Sequence, residues 1–149
     1  ELNGRSSKQA YMDALHISES NIINQTFHNP LGKMNGQDIC IISLKEVSGN
    51  GLCCYRQVND SDVLVLLEEQ DYNEILDETL QRIRRDFNHI SGVFSINCVF
   101  RYLLFSQEHH MEDYLKTMST LGDHAGLIGF GEHYNQQFVN QTMTCVVFE

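Results

Sequence analysis

The sequence predicts an α+β domain, with a mixed, mainly antiparallel sheet packed against helices. Three observations carry that prediction. Strand-like segments gather early (38–47, 52–58 and 63–67) and again late (92–97, 127–130 and 138–148). Segments with helical spacing of apolar residues lie between them, at 71–87 and 106–119. Short, turn-rich connections join the early strands, which favours antiparallel neighbours over parallel crossovers.

The first helix starts at Ser6, where Ser6 and Gln9 suit a capping box and Tyr11, Ala14 and Leu15 follow on one face. It ends near His16. A second short helix is expected over 18–27, with Ile22, Ile23 and Phe27 as its apolar edge, and Pro30 closes it. Residues 29–36 are rich in turn formers and read as a loop. A strand over 38–47 then turns at Gly49-Asn50-Gly51 into a second over 52–58, making a hairpin. Cys53, Cys54 and Tyr55 are apolar on both faces, so that second strand should be covered on both sides. A third strand spans 63–67.

The clearest helix covers 71–87. Asp71 can cap it, with Glu74 at the reciprocal position. Ile75, Leu76, Thr79, Leu80, Ile83 and Phe87 form its apolar stripe. Arg82, Arg84 and Arg85 fall in its last turns, where they complement the negative end of the dipole. A strand follows at 92–97. Residues 98–105 fit either an extension of that strand or a helix, and the spacing of Phe100, Leu103 and Leu104 favours the helix. A further helix over 106–119 buries Met111, Tyr114, Leu115 and Met118. The chain closes in a hairpin: 127–130 as one strand, 132–137 as a polar turn region, and 138–148 as a central strand apolar on both faces.

At 149 residues the chain fits one domain, large enough to bury a core without cross-links. Chain opening at Glu1, without a methionine, reads as a domain taken from a larger protein. A net charge of −10, with Arg82, Arg84 and Arg85 as the one basic cluster, argues against nucleic acid or an anionic membrane as partner. Five cysteines at irregular spacing, none in a C-x-x-C pair, are expected to be reduced thiols of a cytoplasmic protein. No apolar run is long enough to span a bilayer.

Two groups of residues attract a chemical reading. If a helix begins at Cys98, its thiol meets the positive dipole end and Arg101 lies one turn on, on the same face. Both effects favour thiolate and make an anion-binding corner. The alternative is a buried thiol beside an arginine paired with Glu132 or the chain terminus. Glu132 and Asn140 form the second group, brought opposite each other by the terminal turn, where a carboxylate and a carboxamide hold an ammonium or amide. The alternative there is a turn-stabilising pair at a sheet rim. The seven histidines show no H-x-x-x-H spacing and, with the cysteines, no metal motif. A nucleophile pair of Cys98 with His124 or His133 has nothing to select it, and no catalytic motif is present, so an enzyme is not expected.

Four stretches in order, however, resemble the FIST C domain: Leu2-Asn-Gly-Arg5 before a helix, His28-Asn-Pro-Leu-Gly32, Asn97-Cys-Val-Phe-Arg101, and Gly129-Phe-Gly-Glu132 followed by Val139-Asn-Gln-Thr-Met-Thr144. The resemblance implies an intracellular sensory module of bacterial signalling proteins, with an adjacent FIST N-like domain and an output domain such as a methyl-accepting chemotaxis transducer. It implies a small ligand, an amino acid or related metabolite, and no cofactor. Its site residues would be Cys98, Arg101, Gly131, Glu132, Asn140 and Thr142. A protein-interaction surface, as in F-box proteins with this domain, is the alternative; a haem or gas sensor with one axial histidine is a further one.

Overall fold

Ser6 caps the first helix as its sequence predicts. Its Oγ accepts from the backbone N–H of Gln9, and α1 runs Ser7–Leu15 to a left-handed His16. In the computed structural model, which describes residues 1–135 and 137–149, the chain separates into two compact units, Glu1–Glu69 and Gln70–Glu149.

In the first unit, the segment after α1 forms two 3-10 turns, Glu19–Asn21 and Asn24–Thr26, rather than one short helix. The expected loop at 29–36 is a strand, β1 (Leu31–Asn35), turning at Gly36 into β2 (Asp38–Ile42). Asn35 pairs with Asp38 across the two-residue turn Gly36-Gln37, and Gly36 takes the positive φ of 65° that the first turn position needs. The single strand expected at 38–47 breaks at Ser43; its second part, β3 (Leu44–Ser48), makes the expected hairpin with β4 (Gly51–Cys54), with a bulge between Leu44 and Glu46. With β5 (Leu64–Leu66), one sheet has the order β2-β1-β5, all antiparallel. Tyr11, Ile22, Leu31, Ile42 and Leu44 form the core of this unit. Tyr11 donates to the Asn29 carbonyl at 2.7 Å, and burial pushes its phenol up to about 12. Cys53 and Cys54 are only half-buried and Tyr55 is exposed, so β4 is not covered on both faces.

The second unit opens with α2 (Tyr72–Asp86), capped by Asp71, whose carboxylate accepts from the N–H groups of Asn73 and Glu74. Leu76 and Leu80 are buried, whereas Ile75 is 46% exposed, so the buried stripe is narrower than the spacing suggests. β6 (Gly92–Cys98) leads directly into α3 (Val99–Gln107), which settles 98–105 as helix. The helix expected at 106–119 is interrupted at His109, at φ 56°, and α4 spans Met111–Met118. On α4, Tyr114 and Met118 are buried but Leu115 is 46% exposed.

The end of the chain departs most from expectation. β7 (Asp123–Gly129) pairs parallel with β6, not with the last strand, and β10 (Met143–Phe148) lies antiparallel on the other side of β6. The order is β10-β6-β7, so β6 is central and β10 is an edge, with Val146 and Phe148 exposed. The reason is the helical crossover: α3 and α4 carry the chain back to the start of β6, where Asp123 comes opposite Gly92. The polar turn region becomes a small hairpin, β8 (Glu132–Tyr134) with β9 (Gln137–Val139). Of the expected turn residues, Gln136 lies outside the described residues. The architecture is α+β, with sheets that are mainly antiparallel and one parallel pair.

Candidate functional site

The parallel strands β6 and β7 end together, with Cys98 opposite Gly129. Chain breaks cluster there. β6 becomes α3, β7 becomes the β8–β9 hairpin, and the Thr142 carbonyl accepts from the Cys98 N–H at 3.1 Å just before β10 begins. Side chains at such a strand end are held by rigid elements yet lie outside the ladder itself.

Cys98 occupies the N-cap of α3 and is buried. Its thiol is pushed up by burial, with the Glu132 carboxyl beside it adding to the rise and backbone hydrogen bonds with Gln141 and Phe100 opposing it. The direction runs against a thiolate at Cys98. A helix end contributes only a partial charge, which here is outweighed by lost hydration and a like-charged neighbour.

Arg101 stands one turn on. Its Nε donates to Asn97 Oδ1 at 3.2 Å, and its guanidinium carbon lies 4.8 Å from the Phe105 ring centroid and 5.8 Å from that of Tyr114. Burial lowers its pKa, while Tyr114, Glu132 and Cys98 work to raise it. Arg101 makes no ion pair among the described residues, and Glu132 acts on it only through space.

Glu132 is 2% exposed. Its Oε2 accepts from Thr142 Oγ1 at 2.7 Å, and its Oε1 is buried without a hydrogen-bond partner among the described residues. Burial pushes the carboxyl up; Thr142, the Cys98 thiol and Arg101 all pull it back down. Across the β8–β9 ladder Glu132 faces Val139, so Asn140, though buried, is not opposite it as the expected turn would require. Gly131, at φ 142°, is covered by Phe138: a Cβ on Gly131 would sit 2.1 Å from the ring's Cζ. Thus Cys98, Arg101, Glu132 and Thr142 form one cluster, Gly131 shapes the hairpin that presents Glu132, and Asn140 is adjacent in the chain.

Beside this cluster runs a polar chain that sequence reasoning left out. Asn97 Nδ2 donates to Tyr114 Oη at 2.8 Å and approaches Ser95 Oγ at 3.4 Å, and Ser95 Oγ lies 2.8 Å from His124 Nε2. His124 therefore pairs with Ser95 and not with Cys98, and His133 meets Phe138 edge-on with centroids 5.2 Å apart. Neither makes the nucleophile pair considered for Cys98. The alternation Ser95-x-Asn97 on one strand face was readable; the partners on α4 and β7 were not. These polar groups floor a cleft of about 460 Å³. A larger cleft, of about 1000 Å³, lies in the first unit, lined by α1, β5 and the segment before α1. Neither includes a residue of the Cys98–Arg101–Glu132 cluster.

The sequence model of the FIST C domain matches residues 8–135, most of the chain. The chain belongs to the FIST C domain family. FIST C domains are parts of sensory, signal-transduction modules. No curated protein and no solved structure matches it significantly. Among the described residues of this FIST C domain, no helix is long and apolar enough to cross a membrane.

Proposed function

We propose that this FIST C domain binds a small zwitterionic metabolite, an amino acid or a close relative, and acts as a sensor rather than an enzyme. The observation that carries the reading is Glu132: a buried carboxyl with one oxygen satisfied by Thr142 and the other without a hydrogen-bond partner among the described residues. A buried acceptor without a partner costs about 1–3 kcal/mol, which a bound ammonium would recover. Arg101 offers the complementary end. Among the described residues only its Nε makes a hydrogen bond, so the two terminal nitrogens of the fork remain for a carboxylate. Asn140 and the Cys98 thiol complete the surroundings, with Gly131 holding the hairpin in shape.

Binding would stabilise one arrangement of the β8–β9 hairpin and bias an equilibrium read by an adjacent FIST N-like domain and an output domain, a chemotaxis transducer being the expected kind. Five free thiols support a reducing, cytoplasmic setting. One observation favours a second reading, a protein-contact surface: Phe130, between β7 and β8, is 90% exposed, with Leu127 and Ile128 exposed beside it.

Calorimetric titration with the proteinogenic amino acids tests the first reading. At least one should bind saturably, and Glu132→Gln should weaken it by about tenfold or more, equivalent to roughly 1.4 kcal/mol. No heat with any amino acid, or unchanged affinity in Glu132→Gln, rejects it.

A further inference from the structure

We propose that the cleft over β6 and β7 is a separate binding site, for a neutral, mostly apolar small molecule carrying one hydrogen-bonding group. Its volume, about 460 Å³, lies in the usual range for small-ligand sites, roughly 300–1,000 Å³. No aspartate, glutamate, lysine or arginine lines it. Phe105, Met111, Leu115, Leu127 and Ile128 supply apolar walls. A chain of formal charge −10 that keeps one cleft free of charge has a surface suited to an uncharged guest.

The polar floor can be followed proton by proton. The Arg101 Nε–H fixes Asn97 Oδ1 as acceptor, so the amide nitrogen faces Tyr114 and Ser95. Tyr114 Oη accepts from that nitrogen and donates to Met143 Sδ at 3.2 Å. Ser95 Oγ accepts weakly from Asn97 and shares a hydrogen bond with His124 Nε2 at 2.8 Å, its direction set by the imidazole tautomer. His124 Nδ1 makes no hydrogen bond to the protein among the described residues, so it is the ring nitrogen left for a guest. Burial lowers the His124 pKa, which keeps the ring neutral. The cleft thus offers one unengaged ring nitrogen, matched to a single hydrogen-bonding group of a guest, beside apolar walls. Gly126 keeps the floor low: a Cβ there would meet the Ser95 carbonyl oxygen and Oγ at 2.6 Å. This site stands independently of the Glu132 reading, since the two share no lining side chain.

Fluorescence titration of the whole chain with N-phenyl-1-naphthylamine, a neutral, largely apolar probe, tests the proposal. Its sulfonated relative 1-anilinonaphthalene-8-sulfonate is the charged control. The neutral probe should bind saturably at one per chain, and the sulfonate about tenfold or more weakly. Leu115→Glu, at an exposed rim position that leaves folding intact by circular dichroism, should weaken the neutral probe by about tenfold or more. The His124 ring resonances should shift on titration in wild type. Absence of saturation, equal binding of the two probes, or an unchanged affinity in Leu115→Glu overturns the site. So does a wild-type dimer that Leu115→Glu dissociates in sedimentation, because the occupant would then be a second copy of the chain.

Discussion

Removing Arg101 and Glu132 singly and together separates a ligand-directed cluster from a structural ion pair. Arg101→Ala deletes a charged hydrogen bond to Asn97 Oδ1 at 3.2 Å, of a kind that contributes about 1.5–3 kcal/mol. It also deletes stacking on Phe105 at 4.8 Å, roughly 0.5–2 kcal/mol. Against these stands relief of a guanidinium that burial already penalises. A net loss of about 1–3 kcal/mol is expected. Glu132→Gln keeps an acceptor for Thr142 Oγ1 and removes a buried charge, so its stability should change by about 1 kcal/mol or less. Two unit charges about 4 Å apart at an effective dielectric near 20 interact by about 4 kcal/mol. Arg101 and Glu132 are not in ion-pair contact, so their coupling should be well below that, near 1 kcal/mol. Urea unfolding of the four proteins, followed by circular dichroism at fixed pH and without ligand, gives the coupling directly. A value of about 3 kcal/mol or more would mean that each partner is stranded by loss of the other. The pair would then hold the fold, and the ligand reading would lose its basis.

Three further outcomes follow from the same geometry. Leu80, 1% exposed on α2, should cost about 2–5 kcal/mol when changed to alanine, and an unfolding midpoint shift worth under about 0.5 kcal/mol would show that α2 buries another face. Gly126→Ala should cost about 1–3 kcal/mol by overpacking and displace the His124 ring resonances, whereas an unchanged spectrum would mean that β6 and β7 are not in the register described. The raised pKa of Glu132 also sets a pH dependence. Its contribution to stability is complete below the ordinary carboxylate value of 4.5 and is lost as pH rises through the raised folded value, since the native state holds the proton more tightly than the unfolded chain. Glu132→Gln should therefore gain on wild type between about pH 4 and about pH 8 in urea midpoints, and a difference moving the other way would mean that Arg101 and Thr142 outweigh burial.

What the sequence determined by itself is the set of local structures. Ser6 and Asp71 announce their helices because a cap is satisfied by N–H groups two or three residues away. The spacing of Phe100, Leu103 and Leu104 favours a helix after Cys98, and given that helix Arg101, three residues on, lies about one turn away. The strand β1 was read as part of a loop, because Pro30, Gly32 and Gly36 made 29–36 look irregular. Tertiary structure decided which strands are neighbours. Apolar alternation in 143–148 fits a central or an edge strand equally well, and only the α3–α4 crossover, by laying β7 parallel on one side of β6, leaves β10 the other side and an open edge. That choice sets the chemistry. It seals Glu132 beside Cys98 and Thr142, turning an expected thiolate corner into a pair of groups that burial holds toward their neutral forms. It also joins Ser95 to His124 across 29 residues, a contact no periodicity carries, because a parallel partner is chosen by the packing of the whole layer and not by residues near it in the chain.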